Sequence, residues 1–405
     1  MGCRAEVTSR YAAAYVKASK RDRGLILDHV VSVTGWSRDN SRRRLSEAAK
    51  RSPGVGRRVA ARPRKPRSPK YSYDALKVLQ QVWVASGRQC GKYLAASMVL
   101  QLDGLQRHGE LEFGREHYNS AVRAELLAMS AASIDRYLKT VKAKDQISGV
   151  STTKSSPLLR NSTKVRKASG EVEASPGFFE VATVAHCGPT REGEFVRTLN
   201  LSDTHTGWLS TRSIRCSSGA HFLAGIEAAV AEIPYGITGL DFNDRAEFLN
   251  MPVITWAGGK GIYLTGRWPY QTNDQATVES KNNHLVSKYA FYYRYDTPEE
   301  RDVLNGLWKL VNDRLNYLTP TVKPTGYASS GDGRRRRLYD TPQTPLQRLL
   351  AAEVLSRAQA AELIAYRDSL NPAQIGRQIA DLQNHLLLLA KHRNEETIRF
   401  TGILV

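Results

Sequence analysis

The chain of 405 residues has room for several domains, and a hydrophobic fraction of 41% with six tryptophans excludes a wholly disordered protein. Its 59 Lys and Arg against 39 Asp and Glu leave a net charge of +20, which points to a polyanionic partner, nucleic acid before an acidic membrane surface. No apolar run reaches the ~18 residues of a membrane span. The amino terminus lacks the apolar stretch of a signal peptide. The four cysteines form no CxxC pair and show no zinc spacing with histidine. These features predict a cytoplasmic, nucleoid-associated protein with reduced thiols and no membrane partner.

The charge is uneven. Residues 1–70 hold 19 basic against 5 acidic side chains, a net of +14, whereas residues 174–320 hold 13 against 16, a net of −3. The amino-terminal arm therefore carries most of the electrostatics.

Residues 1–50 read as a helical domain. Leu27, Val30 and Val31 recur at helical spacing, and Thr34-Gly35 breaks the pattern. Ser37 then caps an arginine-rich helix whose buried side is Leu45, Ala48 and Ala49. Helix, glycine turn and basic helix follow the plan of a helix-turn-helix, with Arg38, Arg42 and Arg43 as candidate DNA contacts. Residues 51–71 form a linker whose first twenty positions hold eight basic residues, no acid and interspersed prolines. Such a segment cannot bury a core, and Arg62, Arg64, Lys65 and Arg67 suit a strap along phosphates or in a minor groove. Residues 72–143 form a second helical, helix-turn-helix-like domain. Ser130 separates two runs there, and Ile134, Leu138 and Val141 leave Arg136 and Lys139 on the other side.

Residues 144–176, rich in Ser, Thr, Lys and Gly, read as another linker. From 177 to 320 the period changes to that of strands. Three strand-like runs ("FFEVATVAH", "EFVRTLNLSD", "GWLSTRSIR") precede the helix "GAHFLAGIEAAVAEI". The strand "ITGLDFN", the helix "AEFLNMPVITWA" and the strand "GIYLTG" come next. A further helix opens at Thr297 as N-cap, with Pro298 at the first position and Glu300 as the reciprocal cap. Residues 321–405 hold a basic loop, Arg334–Arg337, and carboxy-terminal helices. Asn371 and Pro372 start the last of these, in which Ile375, Ile379, Leu382, Leu386 and Leu389 form a seam that wants a partner. That partner is a helix of the same chain, or of a second copy in a homodimer or higher oligomer.

The motifs "GFFEVATVAHCG", "TGW" (Thr206–Trp208), "ITGLDFNDRAEFLN", "NDQATVESKN", "YRYD" (Tyr293–Asp296) and "LLAMSAASIDRYL" stand in an order that resembles the bacterial insertion-sequence DDE transposases with an integrase catalytic core. The resemblance covers most of the chain. It implies a multidomain α plus α/β protein: helix-turn-helix arms, an RNase H-like mixed-sheet core and a helical tail. It also implies double-stranded DNA as partner and three acidic residues that bind two Mg²⁺ ions. Carried over by position, those acids fall at Ala182, Asn243 and Glu279, so two of three are missing. Asn243 to Ala246 stands where the family has Asp-Asn-Gly-Ser, so the glycine is lost too, to Arg245. Lys281 matches a phosphate contact. Glu180 and Asp241, each two residues upstream, share a sheet face with the lost positions but sit roughly 6–7 Å along the strand. The expectation is a transposase-derived DNA-binding protein with a degenerate, inactive core, no cofactor and no metal. The alternative is a DDE transposase that cuts and joins element ends with Mg²⁺.

Overall fold

The computed structural model describes residues 2–50, 69–144, 175–188, 192–215, 219–242, 251–266, 285–286, 288–291, 293–329 and 335–401. The expectations for Arg62, Arg64, Lys65, Arg67, Asn243, Glu279 and Lys281, and for most of the 144–176 linker, lie outside these residues. The chain divides into two compact units, Met1–Ser68 and Pro69–Val405.

The first unit packs three helices pairwise: α1 (Gly2–Lys17), α2 (Lys20–Thr34) and α3 (Arg38–Ala49). Tyr15, Leu27, Val30 and Leu45 form its core, with Trp36 packed against them. Ser19 and Ser37 cap α2 and α3, each hydroxyl accepting from the amide three residues on at 3.3 Å. Gly35, at φ 68°, ends α2 in the left-handed region, where a side chain is strained.

The second unit begins with α4 (Tyr73–Ala85), α5 (Gly91–Arg107), α6 (Ser120–Leu127), α7 (Ala131–Tyr137) and α8 (Lys139–Lys144). A Cβ at Gly91 would stand 2.3 Å from the Ala131 carbonyl, so only glycine lets α5 start this close to α7. Ile134 and Leu138 are fully buried in the helical core, as their spacing predicts.

These helices share the unit with a five-stranded sheet: β1 (Phe178–Ala185), β2 (Arg197–Asp203), β3 (Leu209–Ile214), β4 (Gly239–Phe242) and β5 (Tyr263–Gly266). The order is β3-β2-β1-β4-β5. The β1–β2 and β2–β3 ladders are antiparallel, and the β1–β4 and β4–β5 ladders are parallel. This mixed sheet is consistent with an RNase H-like core. Its elements follow the predicted order, and apolar residues alternate with polar ones most clearly in β2 and β4. Phe179, Val181, Leu199, Leu201, Leu240 and Phe242 fall on one face and pack against α9 (Gly219–Ala231) and α10 (Met251–Gly259).

Beside β3 lies α11 (Pro298–Asp313), which opens with the predicted capping box of Thr297 and Glu300. Edge strand β3 meets this helix and the π-helical turn Arg314–Leu318 through asparagines. Asn316 accepts from the Leu209 amide and donates to the Leu209 carbonyl, both at 2.8 Å. Asn305 does the same for Ser213, at 2.8 and 3.2 Å, and Asn312 donates to the Thr211 carbonyl at 3.4 Å. The amides stand in for a neighbouring strand and satisfy a row of backbone groups that an edge otherwise exposes.

The tail holds β6 (Pro324–Ser329), β7 (Arg335–Tyr339), α12 (Pro345–Ala351), α13 (Arg357–Ser369) and α14 (Pro372–Thr401). Asn371 caps α14 as predicted, accepting from the Ala373 and Gln374 amides. The leucine seam finds its partner within the chain: Ile375, Ile379 and Leu386 are buried in the core that α11 supplies with Leu304, Leu307 and Trp308. One expectation is corrected. Arg335–Arg337 form strand β7, paired with β6, and not a loop. A run of arginines carries no period of its own, so the pairing of "TGYAS" with "RRRLY" decides the structure. No helix among the described residues is long and apolar enough to cross a membrane.

Candidate functional site

The sheet face opposite the α9–α10 layer is polar, and much of it is buried. Alternation along the strands puts Glu180 and Ala182 of β1, Thr198, Asn200 and Ser202 of β2, Thr211 and Ser213 of β3, and Asp241 of β4 on this face. Except for the half-buried Glu180, each of these residues is buried. Polar side chains in such a place must bond one another. Thr211 Oγ1 donates to Asn200 Oδ1 at 3.1 Å, and Thr265 Oγ1 donates to Asp241 Oδ1 at 2.7 Å. His186 Nε2, Thr198 Oγ1, Ser213 Oγ and Trp308 Nε1 form a chain with steps of 2.7, 2.8 and 2.8 Å. Burial pushes the His186 imidazole down to about 4, because desolvation disfavours the imidazolium.

Ala182 sits in the middle of this face, directly opposite Asn200 and 7% exposed. Its methyl group supplies no oxygen where the resemblance implies a carboxylate. Two residues earlier, Glu180 is paired with Asp241 in the parallel ladder. Sequence reasoning treated these two acids separately, each too far along its own strand. Register shows that they stand side by side, about 4.8 Å apart between strand axes. The signal was there: both lie two residues before an implied ligand position. Among the described residues no group of three or more His, Cys, Asp or Glu side chains is placed to hold a metal ion.

Two loops at the sheet hold short polar motifs in place. In "SDTHTGW", buried Asp203 accepts from the amides of Gly177, His205 and Thr206 at 2.6–2.7 Å, and Thr206 Oγ1 accepts from the Trp208 amide at 3.0 Å. In "YRYD", Arg294 donates to the carbonyls of Glu192 and Glu194 at 2.9 and 3.1 Å and to Asp296 at 2.8 Å. Buried Tyr295 donates to the Ala290 carbonyl at 2.7 Å. Both motifs tie loops to the sheet.

In the first unit, Arg38, Arg42, Arg43 and Arg44 all lie on exposed positions of α3. Arg38 is ion-paired with Asp28 on α2. Arg42 bonds Asp39 at 2.6 Å, and Arg43 bonds Asn40 at 3.3 Å. Ser37, Asp39, Asn40, Arg42, Arg43 and Ser46 line a shallow concavity on this helix. Arg44 stacks over Trp36 at 5.3 Å, with Arg4 at 6.0 Å from the same ring, a pairing the sequence reading missed. In the second unit Arg136 and Lys139 are exposed near the junction of α7 and α8.

The uncharacterized protein y4rM of Sinorhizobium fredii is 30% identical over 348 residues, which cover 86% of this chain and 95% of that protein. The chain belongs to the family of y4rM. No family model matches it. Among solved structures, the catalytic core domain of BIV integrase is similar over 47% of this chain and 97% of that chain, at 13% identity and a TM-score of 0.29. For this y4rM relative, the RNase H-like description therefore rests on its own strand order and ladder directions.

Proposed function

We propose that the chain is a transposase-derived DNA-binding protein whose integrase-type core has lost its chemistry and serves as a scaffold. One observation carries the reading: Ala182, buried mid-strand on the polar face of the sheet, offers no ligand where two-metal phosphoryl transfer needs an acid. Mg²⁺ demands hard oxygen ligands, and the site must also offset the charge of the phosphate it holds. Asn243 keeps an amide oxygen and loses the charge. DNA affinity does not depend on this site. It comes from phosphate neutralisation, for which residues 1–70 carry a net charge of +14.

The Glu180–Asp241 pair favours a second reading, a nuclease or transposase that uses displaced carboxylates. One assay separates the two. Full-length protein is incubated with supercoiled plasmid in Mg²⁺ or Mn²⁺, and binding to labelled duplex is measured in parallel. Binding without nicking is the expected result. Metal-dependent nicking that disappears in Asp241→Asn supports the second reading, and absence of duplex binding overturns the first.

A further inference from the structure

The β6–β7 hairpin forms a two-stranded sheet of its own. Two-stranded ribbons are marginal in water and need anchoring. Here the anchor lies at the base. Asp340 accepts from the Lys323 amide at 2.6 Å and is ion-paired with buried Arg348 at 2.7 Å. Lys323 Nζ donates to the Thr204 carbonyl at 2.6 Å, which ties the base to the turn between β2 and β3.

Beyond that base the ribbon has an unusual surface. Tyr327, Leu338 and Tyr339 are 40%, 44% and 48% exposed. Tyr327 stands directly opposite Arg337, whose guanidinium lies 5.8 Å from the Tyr327 ring and donates to its hydroxyl at 3.4 Å. Lys92 from α5 lies 5.7 Å from the Tyr339 ring. Strand β7 reads Arg-Arg-Arg-Leu-Tyr, and neither strand contains an acidic residue. Cations held against aromatic rings at an exposed surface suit a polyanion with flat or sugar-lined walls.

We infer that β6–β7 is a ribbon arm that enters a groove of duplex DNA, with Arg337 and the net positive charge of β7 meeting the phosphates. The major groove, about 12 Å wide, admits a two-stranded β-ribbon. Anchoring at Asp340 and Arg348 spares the ribbon part of the ordering cost that a free loop meets on binding. The inference rests on the reading that duplex DNA is the partner, and it adds a contact surface outside the amino-terminal arm.

The test uses full-length protein and three forms: wild type, the triple variant R335Q/R336Q/R337Q, and the triple variant R335K/R336K/R337K. Affinity for a labelled duplex and for the matching single strand is measured across a salt series, with thermal unfolding as a folding control. Each phosphate contact contributes about 0.9 to the slope of log K against log salt. The glutamine variant should lose roughly tenfold or more in duplex affinity, with a slope shallower by about 2–3, and the lysine variant should keep both. If wild type binds duplex and the glutamine variant matches it in affinity and slope, the ribbon is not a DNA arm. A loss confined to the single strand also overturns the inference. If wild type binds no duplex at all, the DNA reading itself fails.

Discussion

Glu180 and Asp241 stand opposite each other across the parallel ladder between β1 and β4, so two carboxyl groups share one side of the sheet's centre. Asp241 is 3% exposed and accepts a hydrogen bond from Thr265, whereas Glu180 is half-buried. Two carboxylates beside an alanine make an incomplete cage for a divalent cation. Millimolar Mg²⁺ or Mn²⁺ should therefore leave the thermal unfolding midpoint of the full chain unchanged, because stabilisation by a ligand requires binding to the native state. A midpoint that rises with metal and stops rising in Asp241→Asn would show that the pair is a working site.

Removal of residues 1–68 should leave the second unit folded, since the chain divides at that boundary. Its duplex affinity should drop steeply, with a flatter salt dependence, because most of the net positive charge leaves with the arm. Electrophoretic or fluorescence titrations at two salt concentrations check this. Equal affinity and slope in the truncated protein would place the main DNA surface on the second unit.

Within the arm, the arginines of α3 are not equivalent. Arg38 is engaged with Asp28 of the neighbouring helix, while Arg42 and Arg43 line the concavity on α3 and, among the described residues, bond Asp39 and Asn40 of that helix. Arg42→Ala should reduce preference for a duplex selected from a random pool over a scrambled one by about 1–3 kcal/mol, the worth of a bidentate base contact. Arg38→Ala should alter that preference less. Equal losses on both duplexes for Arg42→Ala would make Arg42 a phosphate contact.

Stability should fall on acidification through His186. Its folded value of about 4 lies below the ordinary 6.5, so the unfolded chain binds the proton more readily. The stabilisation is complete above about pH 6.5 and is lost as pH falls towards 4. Between pH 7.5 and 5.0 this one group should lower the unfolding free energy by about 2 kcal/mol. Urea titrations of wild type and His186→Gln at both pH values measure the difference. If the two proteins show the same pH dependence, His186 is not the source.

Asn316→Ala should destabilise the second unit by about 1–3 kcal/mol, because it removes the partners of both the Leu209 amide and the Leu209 carbonyl. Asn316→Asp should not rescue it fully, since a carboxylate accepts from the amide and has nothing to donate to the carbonyl. Chemical denaturation of the three proteins decides the matter, and full stability in Asn316→Asp would show that the amide's donor side is dispensable.

How much of this was legible in the sequence differs from element to element. The strands of the core were readable because β1 is a β-branched and aromatic run between turn residues and, in β2, Leu199 and Leu201 alternate with Thr198, Asn200 and Ser202, and period 2 is a local signal. Helix starts at Ser37, Thr297 and Asn371 were readable because capping depends on a few adjacent residues. Register is a different matter. The pairing of Glu180 with Asp241 spans some sixty residues, and nothing local in either strand announces it. Strand β7 was missed for the same reason: three arginines have no pattern until Tyr327 and its neighbours are laid beside them. The asparagines of α11 and its π-helical turn read as polar helix positions, although they finish the sheet.

Those asparagines also have a consequence for the open edge of the sheet. A β-sheet is a template that another chain can extend wherever backbone amides and carbonyls remain open. On the β3 side, Leu209 and Ser213 have both groups engaged and Thr211 its carbonyl, all by side chains of the same molecule. A strand from a second copy would have to evict three amides before it made a bond of its own. Strand addition at the β3 rim is thus blocked by the chain's own side chains.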